Sequence, residues 1–295
     1  MFQDCTSLAN FTIPPSVTSI EGSAFYGCSA LTNVTIPYSF TNIGTWAFSY
    51  CTSLTNIAVD SLNSFYSSVN GVLFDKSQAT LIAYPGGTTG PYAIASSVTN
   101  IGVDAFYNCT GLTSVIIPDS VTTIGTNAFG YCTSLTNVTI GHGVTTIEDW
   151  AFTFCTGLTS VTIPNSVTNL GAGAFDDCTS LTNVSLGSGV TSIGPSAFWF
   201  CTSLASVAIP NSVTNLGDYA FYGCTSLTNV SLGNGVSNIG SDAFSSCASL
   251  TSIYYKGNAS GLDVLTFYGD TNLTVYYLPG TTGWNQWVSP PPAVL

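Results

Sequence analysis

Ten cysteines are the side chains of this sequence with the widest chemistry, because thiols form disulfides, bind zinc and act as nucleophiles. Their spacing is 23 residues except for one interval of 58, which equals 23 plus 35. Structural zinc sites commonly use C-x-x-C pairs, and the sequence contains none. The ten are Cys5, Cys28, Cys51, Cys109, Cys132, Cys155, Cys178, Cys201, Cys224 and Cys247.

A constant interval places all ten cysteines at one position of a repeated coil, stacked in a column. Neighbouring thiols about 4.8 Å apart are within reach of a disulfide, but side chains that point the same way suit its geometry poorly. Unpaired cysteine is among the most often buried residue types. We therefore predict buried free thiols, with no metal and no other cofactor.

Acid–base and hydrolytic chemistry would have to use the only histidine, His142, which lies in a Gly-His-Gly turn. Equivalent positions of other coils hold Asn165 or Ser188, so we interpret His142 as a solvated turn residue. The carboxylate pairs Glu148–Asp149 and Asp176–Asp177 would bind Ca²⁺ weakly, but no calcium-loop motif contains them. The sequence therefore favours a solvated acidic edge and predicts that the protein is not an enzyme.

The charge balance excludes two classes of partner. The chain has 14 acidic residues, two lysines, no arginine and a net charge of -12. Binding to nucleic acid or to anionic lipid requires clusters of Lys and Arg. No apolar run approaches the 18 residues of a membrane span. We expect neither nucleic-acid binding nor membrane insertion.

The elements that position these residues follow from a 23-residue repeat, such as residues 178–200, in which we number the cysteine as position 1. Position 4 is Leu, positions 7, 9, 13 and 16 are apolar, and positions 20 and 21 are Ala and Phe. The 7/9 alternation predicts a short strand, and positions 13 to 16 predict a second extended segment. Ala-Phe-x-x-Cys predicts a compact turn or one turn of 3₁₀-helix.

One coil cannot bury its own apolar face, so the coils must stack with their strands parallel, about 4.8 Å apart. We expect a single solenoid domain over 1–295, with first coils at 1–59 and regular coils at 95–252. A hairpin-like insertion around Asp75–Gln78 occupies 60–94, and a C-terminal cap and tail occupy 253–295. From Cys109 onward, positions 10 and 12 alternate between Pro-x-Ser and Gly-x-Gly, which makes a 46-residue double unit.

The repeat L-T-N-V-x-I-P-x-S-V-T-x-I-G-x-x-A-F-x-x-C resembles that of the BspA-like leucine-rich-repeat surface proteins. The insertion Asn70–Pro85 and the segment Leu278–Trp284 are also similar to elements of that family. The resemblance implies a leucine-rich-repeat solenoid, mostly β, with short parallel strands and little helix beyond short 3₁₀ turns. It also implies a bacterial secreted or surface-anchored protein that binds host proteins, other cells or matrix.

The start of the chain leads to two further expectations. Residues 2–5 match the end of a repeat, so the chain begins inside a coil, and we predict that this open coil allows end-to-end self-association. No charged segment and apolar core occur at the N-terminus, so we predict no signal peptide in this chain, although the resemblance implies an extracellular or cell-surface location.

Positions 18, 19, 22 and 23 flank the invariant Ala-Phe and form what we call the rim. They vary most between coils and collect aromatic residues, the types favoured as interface anchors. We predict that the rim recognises protein or glycan; the alternative is that its rings pack between turns of a structural spacer without a ligand. A third hypothesis, ice binding, rests on the threonine columns at Thr145, Thr168, Thr191 and Thr214. The predicted ligand-binding residues are Trp46, Tyr50, Tyr107, Tyr131, Trp150, Phe154, Trp199, Phe200, Tyr219 and Tyr222, and Tyr26 belongs to the same rim.

Overall fold

The fold is a β-solenoid of about 11 turns, as the repeat predicts. The computed structural model describes residues 2–258, 266–270, 272–283 and 292–294. Within these ranges there is no helix of any type, and the Ala-Phe segments are turns. The predicted mostly-β leucine-rich-repeat architecture is therefore confirmed.

Short strands account for the regular structure. They are β1 (Asn10–Thr12), β2 (Ser19–Ile20), β3 (Asn33–Ile36), β4 (Asn42–Ile43), β5 (Asn56–Val59), β6 (Tyr66–Val69), β7 (Val72–Asp75), β8 (Thr80–Ala83), β9 (Gly90–Ala93), β10 (Asn100–Ile101), β11 (Leu112–Ile117), β12 (Thr123–Ile124), β13 (Asn137–Ile140), β14 (Thr146–Ile147), β15 (Ser160–Thr162), β16 (Asn169–Leu170), β17 (Asn183–Ser185), β18 (Ser192–Ile193), β19 (Ser206–Ile209), β20 (Asn215–Leu216), β21 (Asn229–Leu232), β22 (Asn238–Ile239), β23 (Ser252–Tyr255), β24 (Thr274–Tyr277) and β25 (Pro292–Val294).

Each regular coil contributes one strand to each of two faces. The longer strands, from β9 to β25, form one ten-stranded sheet, and the two-residue strands β10 to β22 extend a second sheet that begins with β6, β7 and β8. Pairing between coils is parallel and shifted by one repeat, as in Val115 opposite Val138. The C-terminal strands β23, β24 and β25 continue the first sheet in parallel. The predicted tail residues Trp284 and Trp287 lie outside the described residues.

The insertion is an antiparallel meander. Strands β6 and β7 pair across the Asn70–Gly71 turn, and β7 pairs with β8 across the turn that follows Asp75. The Asp75 carboxylate accepts a hydrogen bond from Thr80 N at 2.9 Å, which holds this second turn closed. Strand β8 then resumes the parallel stack against β10. The meander thus divides the first face into β1-β3-β5 and the sheet that starts at β9.

The core consists of columns of identical side chains. Phe129, Phe152 and Phe175 stack with ring centroids 5.0 and 5.1 Å apart and nearly parallel planes. Each buried cysteine lies beside this column, and the Cys178 thiol donates to the carbonyl of Phe152 at 3.2 Å. A residue at position 1 must therefore be small, apolar and a hydrogen-bond donor, which cysteine satisfies.

The prediction of buried free thiols is confirmed for nine of the ten cysteines, and Cys5 in the first coil is exposed. Burial raises the pKa of the Cys132 thiol to about 12, so the thiolate that would bind a metal or attack a substrate is disfavoured. The last coil departs from the column, because Asp270 occupies the cysteine position and is 8% exposed.

The alternation at positions 10 to 12 has a packing cause. A Cβ on Gly189 would lie 1.9 Å from the carbonyl oxygen of Asn165 in the coil before it, so only glycine allows the two turns to approach this closely. The Asn165 side chain accepts a hydrogen bond from Ser188 N at 2.8 Å. Asn165 therefore has a structural role, and the interpretation of this position as an interchangeable surface residue is wrong. Each Gly-x-Gly turn rests on a Pro-x-Asn/Asp-Ser turn that caps it.

Candidate functional site: the aromatic rim

The rim is built on an unusual backbone. Every regular coil in the described part of the chain has left-handed residues at positions 19 and 23, such as Trp150 and Phe154, both with φ of 54°. A left-handed residue other than glycine costs about 1–2 kcal/mol, and bulky residues rarely adopt this conformation. The left-handed residues at position 19 are Ser23, Trp46, Asp104, Asn127, Trp150, Gly173, Ser196, Tyr219 and Asp242. Those at position 23 are Asp4, Gly27, Tyr50, Asn108, Tyr131, Phe154, Asp177, Phe200, Gly223, Ser246 and Gly269.

Aromatic side chains at position 19 stand in solvent. Trp46, Trp150 and Tyr219 are 46%, 45% and 43% exposed. The Trp150 indole covers the next coil at Gly173, where an added Cβ would lie 2.3 Å from the ring. These three rings therefore combine a strained backbone with a large exposed apolar surface.

Aromatic side chains at positions 22 and 23 in the first half of the solenoid form a ladder. Centroid distances are 5.0 Å from Tyr26 to Tyr50, 5.7 Å on to Tyr107, 5.4 Å on to Tyr131 and 4.6 Å on to Phe154. Burial is the largest of the effects that raise the pKa of Tyr107. This ladder fits the packing interpretation, because each ring contacts the ring of the next coil.

A second aromatic cluster lies further along the rim. Trp199 contacts Phe200 at 4.6 Å and Tyr222 at 6.4 Å between ring centroids, and Tyr219 lies 5.8 Å from Tyr222. The coil between the two clusters has no aromatic rim residue and carries Asp176 and Asp177 instead. Burial, followed by the neighbouring Asp177 charge, raises the pKa of Asp176 to about 6.

A groove of about 520 Å³ opens at the second cluster. Its walls come from positions 19, 22 and 23 of successive coils. Trp199, Tyr219 and Tyr222 were predicted, whereas the sequence interpretation missed Asp242 and Tyr268. Tyr268 lies 21 residues after Cys247, so the 23-residue count would have placed it on the rim at position 22. The groove is lined by Ser196, Trp199, Tyr219, Tyr222, Asp242, Ser246 and Tyr268.

A smaller cavity of about 210 Å³ lies beside the insertion. Gly102 N and Tyr84 N bond to Leu81 O and Ala105 O, so Ile82 and Ala83 span a distance that four residues span in a regular coil. The missing rim residues leave a gap lined by Trp46 and Asp104, among others. The Asp104 carboxylate oxygens are shielded from solvent and meet no hydrogen-bond partner at bonding geometry among the described residues. Burial raises the pKa of Asp104, an effect that Trp46 and Asn127 offset only partly.

The other chemical candidates have structural surroundings. His142 is exposed, and its backbone N–H donates to Asp119 Oδ1 at 2.6 Å. No group of three or more metal-ligating side chains occurs in the described ranges. The threonine columns donate their hydroxyls to carbonyls of the preceding coil, as from Thr191 to Thr168 O at 3.0 Å. These hydroxyls extend the hydrogen-bond ladder of the solenoid, which accounts for their regularity without a ligand.

The stacked 23-residue coils define a leucine-rich-repeat protein. The chain belongs to the BspA type leucine rich repeat family, whose model matches residues 1–89, 91–205 and 191–283. Among curated proteins, none matches the sequence. No helix long and apolar enough to cross a bilayer occurs in the part of the chain that the structure describes.

Solved structures of bacterial proteins have the same architecture. A leucine-rich repeat protein of Bacteroides ovatus is 26% identical with a TM-score of 0.64, and the match covers 94% of this chain and 70% of that one. A leucine-rich repeat protein of Eubacterium ventriosum is 27% identical with a TM-score of 0.59, covering 72% of this chain. The match spans 63% of the length of that protein, less than two thirds. The pneumococcal vaccine antigen PcpA, 17% identical with a TM-score of 0.51, shares the fold.

Proposed function

We propose that this chain is a non-catalytic recognition module of a bacterial cell-surface or secreted protein, and that it binds protein or glycan through the aromatic rim. The observation that carries the proposal is the set of three exposed rings at position 19: Trp46, Trp150 and Tyr219. Membership of the BspA-type family supports a surface location and a role in adhesion, because the family resemblance implies such proteins.

The energetic argument starts from the coils that lack these rings. Position 19 is Ser, Asp, Asn or Gly in the other regular coils, so the fold does not require an aromatic residue there. A tryptophan at this position accepts a left-handed backbone and leaves almost half of its surface in water. Strained residues of this kind concentrate at functional sites, and exposed aromatic side chains are typical interface anchors.

The spacer hypothesis is supported by a different observation. The ladder from Tyr26 to Phe154 directs rings against each other rather than outward, with centroids 4.6 to 5.7 Å apart. In this half of the rim, aromatic residues stiffen the stack. We therefore place recognition on the position-19 rings and the second cluster, and assign the ladder a structural role.

The test is a binding screen of the soluble chain against matrix proteins and a glycan array. A variant with Trp46, Trp150 and Tyr219 changed to Ser is compared with a control in which Tyr50, Tyr107 and Tyr131 become Phe. We expect the first variant to lose binding while its circular dichroism is unchanged, and the ladder control to keep binding. A folded chain that binds nothing in either screen would support the spacer instead.

A further inference from the structure

The groove at the second aromatic cluster has a chemical character of its own. It results from a break in the position-22 column, where Trp199 and Tyr222 are followed by the small, buried Ser245 and then by Tyr268. Tyr222 and Tyr268 therefore lie two coils apart, about 9.6 Å at the usual strand spacing. Tyr268, 68% exposed, stands at the far side of the resulting slot.

The coil that carries Tyr268 is fixed to the coil before it. Ser246 N donates to Tyr268 O at 2.9 Å, and Phe244 N donates to Thr266 O at 3.0 Å. The Phe267 ring continues the core column, 5.8 Å from Phe244. The two sides of the slot are thus held by backbone bonds and core packing rather than by loop contacts.

A carboxylate lies at this slot. Asp242 lines the groove, and the Ser245 hydroxyl donates to its Oδ1 at 2.7 Å, which fixes the side chain. Around the groove the charge is uniformly negative. Asp218 precedes Tyr219, and Asp177 lies in the coil before Trp199, where its N–H donates to Trp199 O at 2.8 Å. The two lysines of the chain, Lys76 and Lys256, are not among the groove residues.

Resting on the proposed recognition function, we infer that this groove binds an arginine or lysine side chain presented by a basic polypeptide. A guanidinium or ammonium group would lie against the faces of Tyr222 and Tyr268, as in cation–π recognition, with Asp242 Oδ2 as its ion-pair partner. Arginine suits the slot best, because its planar group stacks on aromatic faces. The net charge of -12 favours a basic partner and disfavours acidic proteins and anionic glycans.

The experiment measures binding of a fluorescent, acetylated peptide with four arginines separated by Gly-Ser spacers. The matched probe carries citrulline, which keeps the shape and removes the charge. The variant Asp242→Asn removes the carboxylate charge, retains an acceptor for Ser245 and suits the left-handed backbone, because asparagine tolerates a φ of 56°. Trp150→Ser, at a rim position outside the groove, is the control.

We expect Asp242→Asn to weaken arginine-peptide binding about tenfold and the citrulline probe to lose a similar factor. Raising the salt concentration from 50 to 500 mM should weaken binding severalfold through screening, and Trp150→Ser should leave it unchanged. Equal affinity for both peptides, or for Asp242→Asn and the unaltered chain, would overturn the inference. If the rim instead retains a glycan or a non-basic protein, the proposed function stands and this inference fails; if nothing binds, both fail.

Discussion

Asp270 should make the stability of the solenoid depend on pH. Its carboxylate occupies the position where other coils bury a neutral thiol, and neither oxygen has a hydrogen-bond partner at bonding geometry within the described ranges. Burial raises its pKa from 3.8 to about 7, and the nearby backbone of Cys247 offsets only a small part of this effect. Because the pKa is higher in the folded than in the unfolded chain, the folded state binds the proton more tightly.

The sign and size of the effect follow from this difference. The stabilisation is present below pH 4, where both states are protonated, and is lost as the pH rises through 7. Between pH 5 and pH 8 the loss is about 2.5 kcal/mol for one group with these two pKa values. An asparagine at 270 has no charge at any pH. The advantage of Asp270→Asn in free energy of unfolding should therefore grow by the same amount across this range.

The assay is urea denaturation of both proteins at pH 5, 6, 7 and 8, followed by circular dichroism with linear extrapolation to water. The range stays above the sequence pI of about 4.1. Asp119→Asn is the control, because Asp119 is exposed and asparagine preserves the bond to His142 N. Its effect should stay within about 0.5 kcal/mol at every pH. Parallel profiles for Asp270→Asn and the unaltered chain would refute this reasoning.

Further predictions concern the acidic coil and the core. Asp176→Asn should change the same profile by about 1.4 kcal/mol between pH 5 and 8, because its pKa is raised only to about 6, and a flat difference would contradict this. In the native state a thiol reagent should label Cys5 alone, with all ten cysteines labelled in denaturant. Cys178→Ala should cost about 1–3 kcal/mol by leaving the carbonyl of Phe152 without its donor, and Cys178→Ser should cost less; equal losses in thermal denaturation would argue against the thiol bond. Asn165→Ala should cost about 1 kcal/mol in urea denaturation, while Asn165→Asp, which keeps the acceptor, should cost less.

Periodicity alone made the fold predictable. Ten cysteines at one interval and alternating apolar residues at positions 7 and 9 permit only a stacked coil, because no single coil buries its own apolar face. Burial of nine thiols followed from the same count. The Asn70–Gly71 dipeptide, a strong hairpin signal, would also have indicated the first turn of the meander.

The rim was harder to predict, because its character depends on backbone geometry. Nothing in the sequence shows that Trp150 and Phe154 are left-handed, since glycine occupies these positions in only a few coils. Pattern analysis also could not separate Tyr131, stacked in the ladder, from the exposed Trp46. The groove escaped notice because it arises from a small residue, Ser245, between aromatic neighbours. A site created by an omission becomes visible only when the column around it is known.

The pairing of glycine turns with asparagine-capped turns has a consequence for how such a molecule changes length. Genes with nearly identical repeats gain and lose copies by unequal recombination. Loss of a capped coil, such as 201–223, would place two glycine turns in contact and leave the second without its side-chain acceptor. Exchange of 46 residues preserves every cap. The solenoid can therefore lengthen in steps of about 9.6 Å, two strand spacings, so that the distance from its first coil to the groove behaves as an adjustable ruler.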